Sequence, residues 1–365
     1  MQEDTAQHEE NSAPTRKEAM SLDFHAMPKV ELHLHLDGSV RPATVWELLQ
    51  ERRRAGSAAA GGYAGLDTLE AVAAAMQVPD DCPSLADYLT RFALPLAVMQ
   101  DGEALERIAY ELVADAAAEN VVHVEVRFAP ALHTAEGLTM RAAAEAVLRG
   151  LDRGRRDFGV TTGLIACCMR HLPAEDNTAM VRAVEPLLGQ GLVAIDLAGD
   201  EAGFPGILHR EPLQLAKQMG FHVIVHAGEA SGPDEVRVAL EVLGAERIGH
   251  GVRLEEDPVL LREAAARGIA LEMCPTSNVQ TKAVRSLENH PLRRYLEAGL
   301  AATVNTDNRT VSNTTMAAEY RRVAQELGLT AEQVRQTVFN AVAHAFLPAA
   351  EKQALLDRLA RDLGR

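Results

Sequence analysis

Nowhere in the sequence does an uncharged apolar run approach the roughly 18 residues that a membrane span requires. Its opening, MQEDTAQHEE, is acidic where a secretory leader would be basic and then apolar. A cytoplasmic protein is expected. Cysteine is scarce: Cys82, Cys167, Cys168 and Cys274 are too few for a disulfide framework, and neighbours such as Cys167 and Cys168 point to opposite faces of a strand. Reduced thiols follow. No basic tail exists, and the cluster Arg52, Arg53, Arg54 reads as the solvated end of a helix. A formal net charge of -16 argues against a broad nucleic-acid surface, since duplex binding relies on Lys and Arg neutralising phosphates. The expected partner is a small molecule.

What is present is a globular composition, with 47% hydrophobic and 24% charged residues, enough to bury a large core. At 365 residues the chain suits one α/β barrel with extra helices. Residues 1–22 are polar, acidic and aperiodic, and are expected to form a mobile tail ahead of a single catalytic domain over 23–365. Short apolar runs recur at Val30–Leu36, Val121–Phe128, Thr161–Met169, Leu192–Leu197, His222–His226, Arg247–Gly249, Ile269–Met273 and Ala302–Asn305. Segments of helical composition lie between nearly all of them, the rhythm of a parallel sheet. Eight units predict a closed (β/α)8 barrel of the TIM type; an open doubly wound sheet lacks support because Gly38 stands alone after the first run.

The first two runs are too far apart for one crossover helix, so a helical insertion is expected at about 41–119, with further helices at the C-terminus. Within the insertion, AGSAAAGGYAG reads as a flexible loop, and SLADYLTRFALPLAVMQ sets Leu85, Tyr88, Leu89 and Phe92 on one helical stripe. Core packing is the plain reading of that stripe. A lid over the barrel mouth is the sharper one, because segments after barrel strands lie on the face that carries active sites.

His33 and His35 sit two apart on the first predicted strand, so both imidazoles face one side and can meet one metal. His226 ends a later strand in VIVHAGE, and Asp307 ends the last in ATVNTDN. Three imidazole nitrogens and one carboxylate oxygen suit a single zinc ion and leave room for water. Singly, each has an ordinary explanation: a strand-end histidine satisfies a carbonyl, and an aspartate caps a helix. Together they would be four buried polar groups at one mouth, costly unless they share a purpose. Glu229, in the HAGE turn, puts a carboxylate beside the metal, and His250, in RIGHGVRL, adds an imidazole between glycines. For His250 alone a core hydrogen bond is an equally good reading. A metal, an acid and a further imidazole on one face point to hydrolysis at an electrophilic carbon.

From about Pro28 to about Phe346 the sequence resembles the adenosine deaminase family, through MPKVELHLHLDGS, SLADYLTRFALPLAVMQ, HVEVRFAP, ACCMRH, AIDLAGDE, VHAGE, RIGHGVRL, CPTSN and NTDN. The resemblance implies zinc-dependent hydrolysis of adenosine, and by extension deoxyadenosine, to inosine and ammonia, with zinc-activated water attacking purine C6. It implies His33, His35, His226 and Asp307 as zinc ligands, Glu229 as proton donor to N1, and His250 as the residue orienting the attacking oxygen. It places the Gly199 backbone N–H at N3, Asp37 at the ribose 5′-hydroxyl, and Leu85, Tyr88, Leu89 and Phe92 as an apolar gate. One position departs: many members carry a second aspartate after the first, facing N7, where this chain has Asn308. An amide NH2 donates to N7 at any ordinary pH, whereas a carboxyl donates only when protonated.

Other readings are weaker. A two-metal hydrolase with a carboxylated lysine has no candidate, because Lys17, Lys29, Lys217, Lys282 and Lys352 all lie away from DLAGDE. A 5′-phosphate would meet Asp37 and be repelled. Adenine deaminases are similar too, but commonly carry Glu at the position of Asp37. A 5′-modified nucleoside such as aminodeoxyfutalosine remains an alternative substrate. A non-catalytic nucleoside-binding barrel would have no need of Glu229.

Overall fold

The structure is a computed structural model that describes residues 19, 22–57, 61–79 and 81–364. The predicted tail at 1–22 lies almost wholly outside the described residues, as do residues 58–60 of the Ala- and Gly-rich loop. Eight strands form one sheet in chain order: β1 (Lys29–His35), β2 (Val121–Phe128), β3 (Thr161–Met169), β4 (Leu192–Ala198), β5 (His222–Ala227), β6 (Arg247–His250), β7 (Ala270–Met273) and β8 (Ala301–Val304). Every neighbouring pair is parallel. The chain beyond β8 closes on β1 through a bridge from Leu34 to Asp307, where the His35 N–H donates to the Asp307 carbonyl at 2.8 Å. A nearly closed barrel results.

The two faces of each strand have different chemistry. In β2, Val122, Val124, Val126 and Phe128 alternate with His123, Glu125 and Arg127, and all are buried. The apolar set packs in the main core. The polar set joins ion pairs across the barrel interior: Glu125 with Arg247, and Arg127 with Asp196 and Glu272. The Val, Ile and Leu layers usual inside such barrels are therefore partly replaced by charge. Unpaired charges there would be very costly; each of these charges has an opposite partner, although Arg127 Nε is left without a hydrogen bond.

Of the stretch between β1 and β2, the helix Gly102–Ala118 begins where Asp101 accepts the Ala104 N–H and buries Leu105, Ile108, Leu112 and Val113 on one stripe. It packs against Met140–Phe158 as part of the outer ring. The shorter helices before it, among them Leu85–Leu89 and Ala93–Val98, form the inserted portion and reach the mouth of the barrel. All four cysteines are free and buried. Among the described residues no helix is long and apolar enough to cross a membrane.

Candidate active site

His33 and His35 lie on β1, His226 on β5 and His250 at the end of β6, while Asp307 follows β8 and Glu229 follows β5. These positions converge at the C-terminal end of the barrel, around a cavity of about 220 Å³. His35, His226, Glu229, His250 and Asp307 line the cavity, with His33 fully buried beside them. Both His250 (φ 65°) and Asp307 (φ 61°) have left-handed backbone, a conformation costing about 1–3 kcal/mol for such residues and concentrated at functional sites.

Several of the candidate donor atoms stand at separations that fit one cation. His35 Nε2 is 3.2 Å from His226 Nε2, and Asp307 Oδ1 is 3.4 Å from both His33 Nε2 and His35 Nε2. Two ligands about 2.0–2.1 Å from a tetrahedral zinc stand about 3.3–3.4 Å apart, so these separations fit. His33 Nε2 is buried without a hydrogen-bond partner, an orphan that a metal would satisfy. Burial works against charge on His33, yet the neighbouring carboxylates Asp307 and Glu272, the second accepting from its Nδ1, draw its pKa above the ordinary range. Among the described residues, donor atoms all within 4.8 Å of one another group His33 with His226 and His250, and His33 with Cys274 and Asp307, with His35 in neither group; His250 Nδ1 faces Asn278 at 3.1 Å and the Cys274 thiol donates to the Glu272 carbonyl at 3.5 Å.

A layer beneath aims the candidate donors. His33 Nδ1 meets Glu272 at 2.9 Å and His226 Nδ1 meets Asp196 at 3.0 Å, leaving both Nε2 atoms toward the centre. Ser277 holds the other oxygen of Asp307 at 2.6 Å. Arg127 bridges the two carboxylates, 2.7 Å from Asp196 and 2.6 Å from Glu272. Burial alone would raise both acids, but His226 and Arg127 pull Asp196 well below the usual carboxylate range, and Arg127 and Arg247 do the same for Glu272. Gly249 leaves space for this packing: a Cβ there would lie 3.0 Å from His33 Cε1 and 3.2 Å from the His226 Cα.

Glu229 is the opposite case. Burial first, and then the negative charge of Asp307, push its carboxyl well above the usual range, which favours its protonated form. Its Oε2 is 3.5 Å from His250 Nε2. The loop bearing it is gripped by Glu201, whose carboxylate accepts the backbone N–H groups of Gly228 (2.6 Å), Glu229 (3.0 Å), Ala230 (2.7 Å) and Ser231 (2.8 Å).

The remaining predicted residues surround the same cavity: Asp37 and Asn308 on one side, Gly199 after β4, and Leu85, Tyr88, Leu89 and Phe92 above. Tyr88 is fixed by a 2.7 Å hydrogen bond to Ser312. Burial lifts the pKa of Asp37 to about 6. Sequence reasoning singled out neither Arg127, Asp196, Glu201, Glu272, Ser277 nor Asn278. A signal existed for three of them: Asp196 and Glu272 are lone charges inside otherwise apolar strand runs, and Arg127 alternates with apolar residues beside Glu125, placements that a buried strand tolerates only when the charges are paired.

The family described as adenosine deaminase matches residues 28–362 of this chain. An adenosine deaminase from Vibrio vulnificus is 41% identical over 337 residues, spanning 92% of this chain and 99% of that protein. An adenine deaminase from Arthrobacter aurescens superposes with a TM-score of 0.82 at 27% identity, covering 93% of this chain and 100% of that one. An amidohydrolase from Burkholderia ambifaria with bound Zn superposes with a TM-score of 0.84 at 26% identity, over 98% and 95% of the two chains.

Proposed function

The chain belongs to the adenosine deaminase family and is a hydrolytic deaminase of adenosine; we propose that it works with one zinc ion held by His33, His35, His226 and Asp307. The observation that carries this reading is the meeting of His35, His226 and Asp307, with His33 beside them, and the buried carboxyl of Glu229 around one cavity. Bound there, zinc lowers the pKa of a water toward about 7 and so supplies a nucleophile at neutral pH.

The chain's own residues do the rest. Glu229 gives its proton to purine N1, drawing electrons from C6 as oxygen adds there. His250 Nε2 faces the same space and orients the attacking oxygen. Water adds to C6, the amino group departs as ammonia, and inosine remains. The Gly199 N–H meets N3, the Asn308 amide donates to N7, and Asp37 accepts from the 5′-hydroxyl. Leu85, Tyr88, Leu89 and Phe92 exclude bulk water, which strengthens each of these polar contacts.

The pocket favours a neutral nucleoside. Asp37 and Asp200 line it outside the proposed zinc and acid positions, and no Lys or Arg does so among the described residues. A 5′-phosphate beside Asp37 would find repulsion and no Lys or Arg to pair with. The test is turnover of adenosine, deoxyadenosine, adenine, AMP and aminodeoxyfutalosine under one set of conditions. Adenosine is expected to have the highest kcat/KM and AMP the lowest. A preference for adenine, AMP or aminodeoxyfutalosine would overturn the assignment of Asp37 to a free 5′-hydroxyl.

A further inference from the structure

Only one ring nitrogen of His250 faces the reacting space. Its Nε2 looks toward Glu229, and its Nδ1 lies 3.1 Å from Asn278 Nδ2. A neutral imidazole has one N–H and one lone pair, so the position of the proton decides whether the cavity meets a donor or a base.

The surrounding hydrogen bonds settle that position, because two of them start at backbone N–H groups, which can only donate. The Cys274 N–H donates to Asn278 Oδ1 at 3.2 Å. The amide oxygen is therefore on the side away from His250, and the NH2 faces the ring. Independently, the Leu292 N–H donates to His290 Nδ1 at 3.2 Å. His290 must then carry its proton on Nε2, which lies 3.1 Å from the same Asn278 Oδ1. The chain of donors runs one way, from Leu292 through His290 and Asn278 to His250. An NH2 aimed at Nδ1 requires a lone pair there, which excludes both the Nδ1–H tautomer and the imidazolium. His250, Asn278 and His290 are all almost completely buried, so water does not offer a substitute partner.

We propose that Asn278, itself oriented by His290, is a positioning residue that locks His250 as the Nε2–H tautomer, so that His250 meets the attacking oxygen as a hydrogen-bond donor. The catalytic part of this inference rests on the hydrolysis proposed above; the tautomer itself does not.

The direct test is the ¹⁵N spectrum of histidine-labelled, zinc-replete enzyme, with His250 assigned by difference from a His250→Asn variant. A protonated Nε2 and a lone-pair Nδ1 are expected; the reverse pattern in the wild type overturns the proposal. Asn278→Asp then replaces the donor facing Nδ1 with an acceptor. It is expected to move the proton to Nδ1 and to lower kcat by about 10- to 100-fold, with zinc content retained and KM little changed. Wild-type kcat in a folded Asn278→Asp enzyme contradicts the proposal. Should that buried charge prevent folding, the wild-type spectrum still decides. Should adenosine not be turned over, the proposed function falls while the spectrum continues to test the tautomer.

Discussion

Asn308 Oδ1 stands 1.8 Å from the point that a Cβ on Gly38 would occupy. The side chain proposed to read N7 is thus seated against a backbone that has no side chain of its own. Gly38 does not have positive φ, so alanine would be allowed there by the backbone and would meet the Asn308 side chain first. Gly38→Ala is expected to keep the fold, displace Asn308 and lower kcat/KM for adenosine about tenfold, as loss of a hydrogen bond worth about 0.5–1.5 kcal/mol implies. With 7-deazaadenosine, which has no N7 acceptor, wild type, Gly38→Ala and Asn308→Ala should converge. A Gly38→Ala deficit of equal size on both substrates would show that Asn308 does not read N7.

Glu201 holds four successive amides of the loop that carries Glu229. In Glu201→Gln an NH2 must face at least one N–H that previously had an acceptor, at a cost of about 1–3 kcal/mol. Lower Tm and a kcat reduced at least tenfold are expected. Because the kinetic loss acts through Glu229, adding Glu201→Gln to Glu229→Gln should reduce kcat little further. Independent, multiplying losses in that double-mutant cycle would remove Glu201 from its role in placing the acid.

The acid limb of stability has an identifiable contributor away from the site. Burial lowers His133 to about 4, against the hydrogen bond it makes to the Met99 carbonyl at 2.8 Å. The unfolded side chain titrates near 6.5. Between those values the unfolded chain binds a proton that the native chain refuses, so stability falls as pH drops from about 6.5 toward 4, by on the order of 2–4 kcal/mol. His133→Asn keeps an N–H for Met99 without the titrating ring. Its Tm should decline less than that of wild type between pH 7 and pH 5; parallel curves would assign the acid sensitivity elsewhere.

Much of this was legible in the residues. The strand limits agree with the apolar runs to within a residue or two, because a parallel sheet covered on both faces needs such runs. His33 and His35 could be paired by the two-residue period of a strand, and the convergence of His226 and Asp307 follows once eight strands close. The supporting layer was harder to see. Glu272 and Asp196 announce only that a charge is buried; that each takes one histidine Nδ1, and that Arg127 joins them, depends on register between strands far apart in sequence. The Cys274–Asn278–His290 arrangement is equally invisible, because it turns on which atom of an amide meets which backbone N–H.

The most direct test of the account is the zinc content of protein purified without added metal, measured together with adenosine turnover before and after chelation. About one zinc per chain is predicted, with activity lost as it is removed and regained as it is returned. Two metals per chain, or full activity with none, would contradict the account.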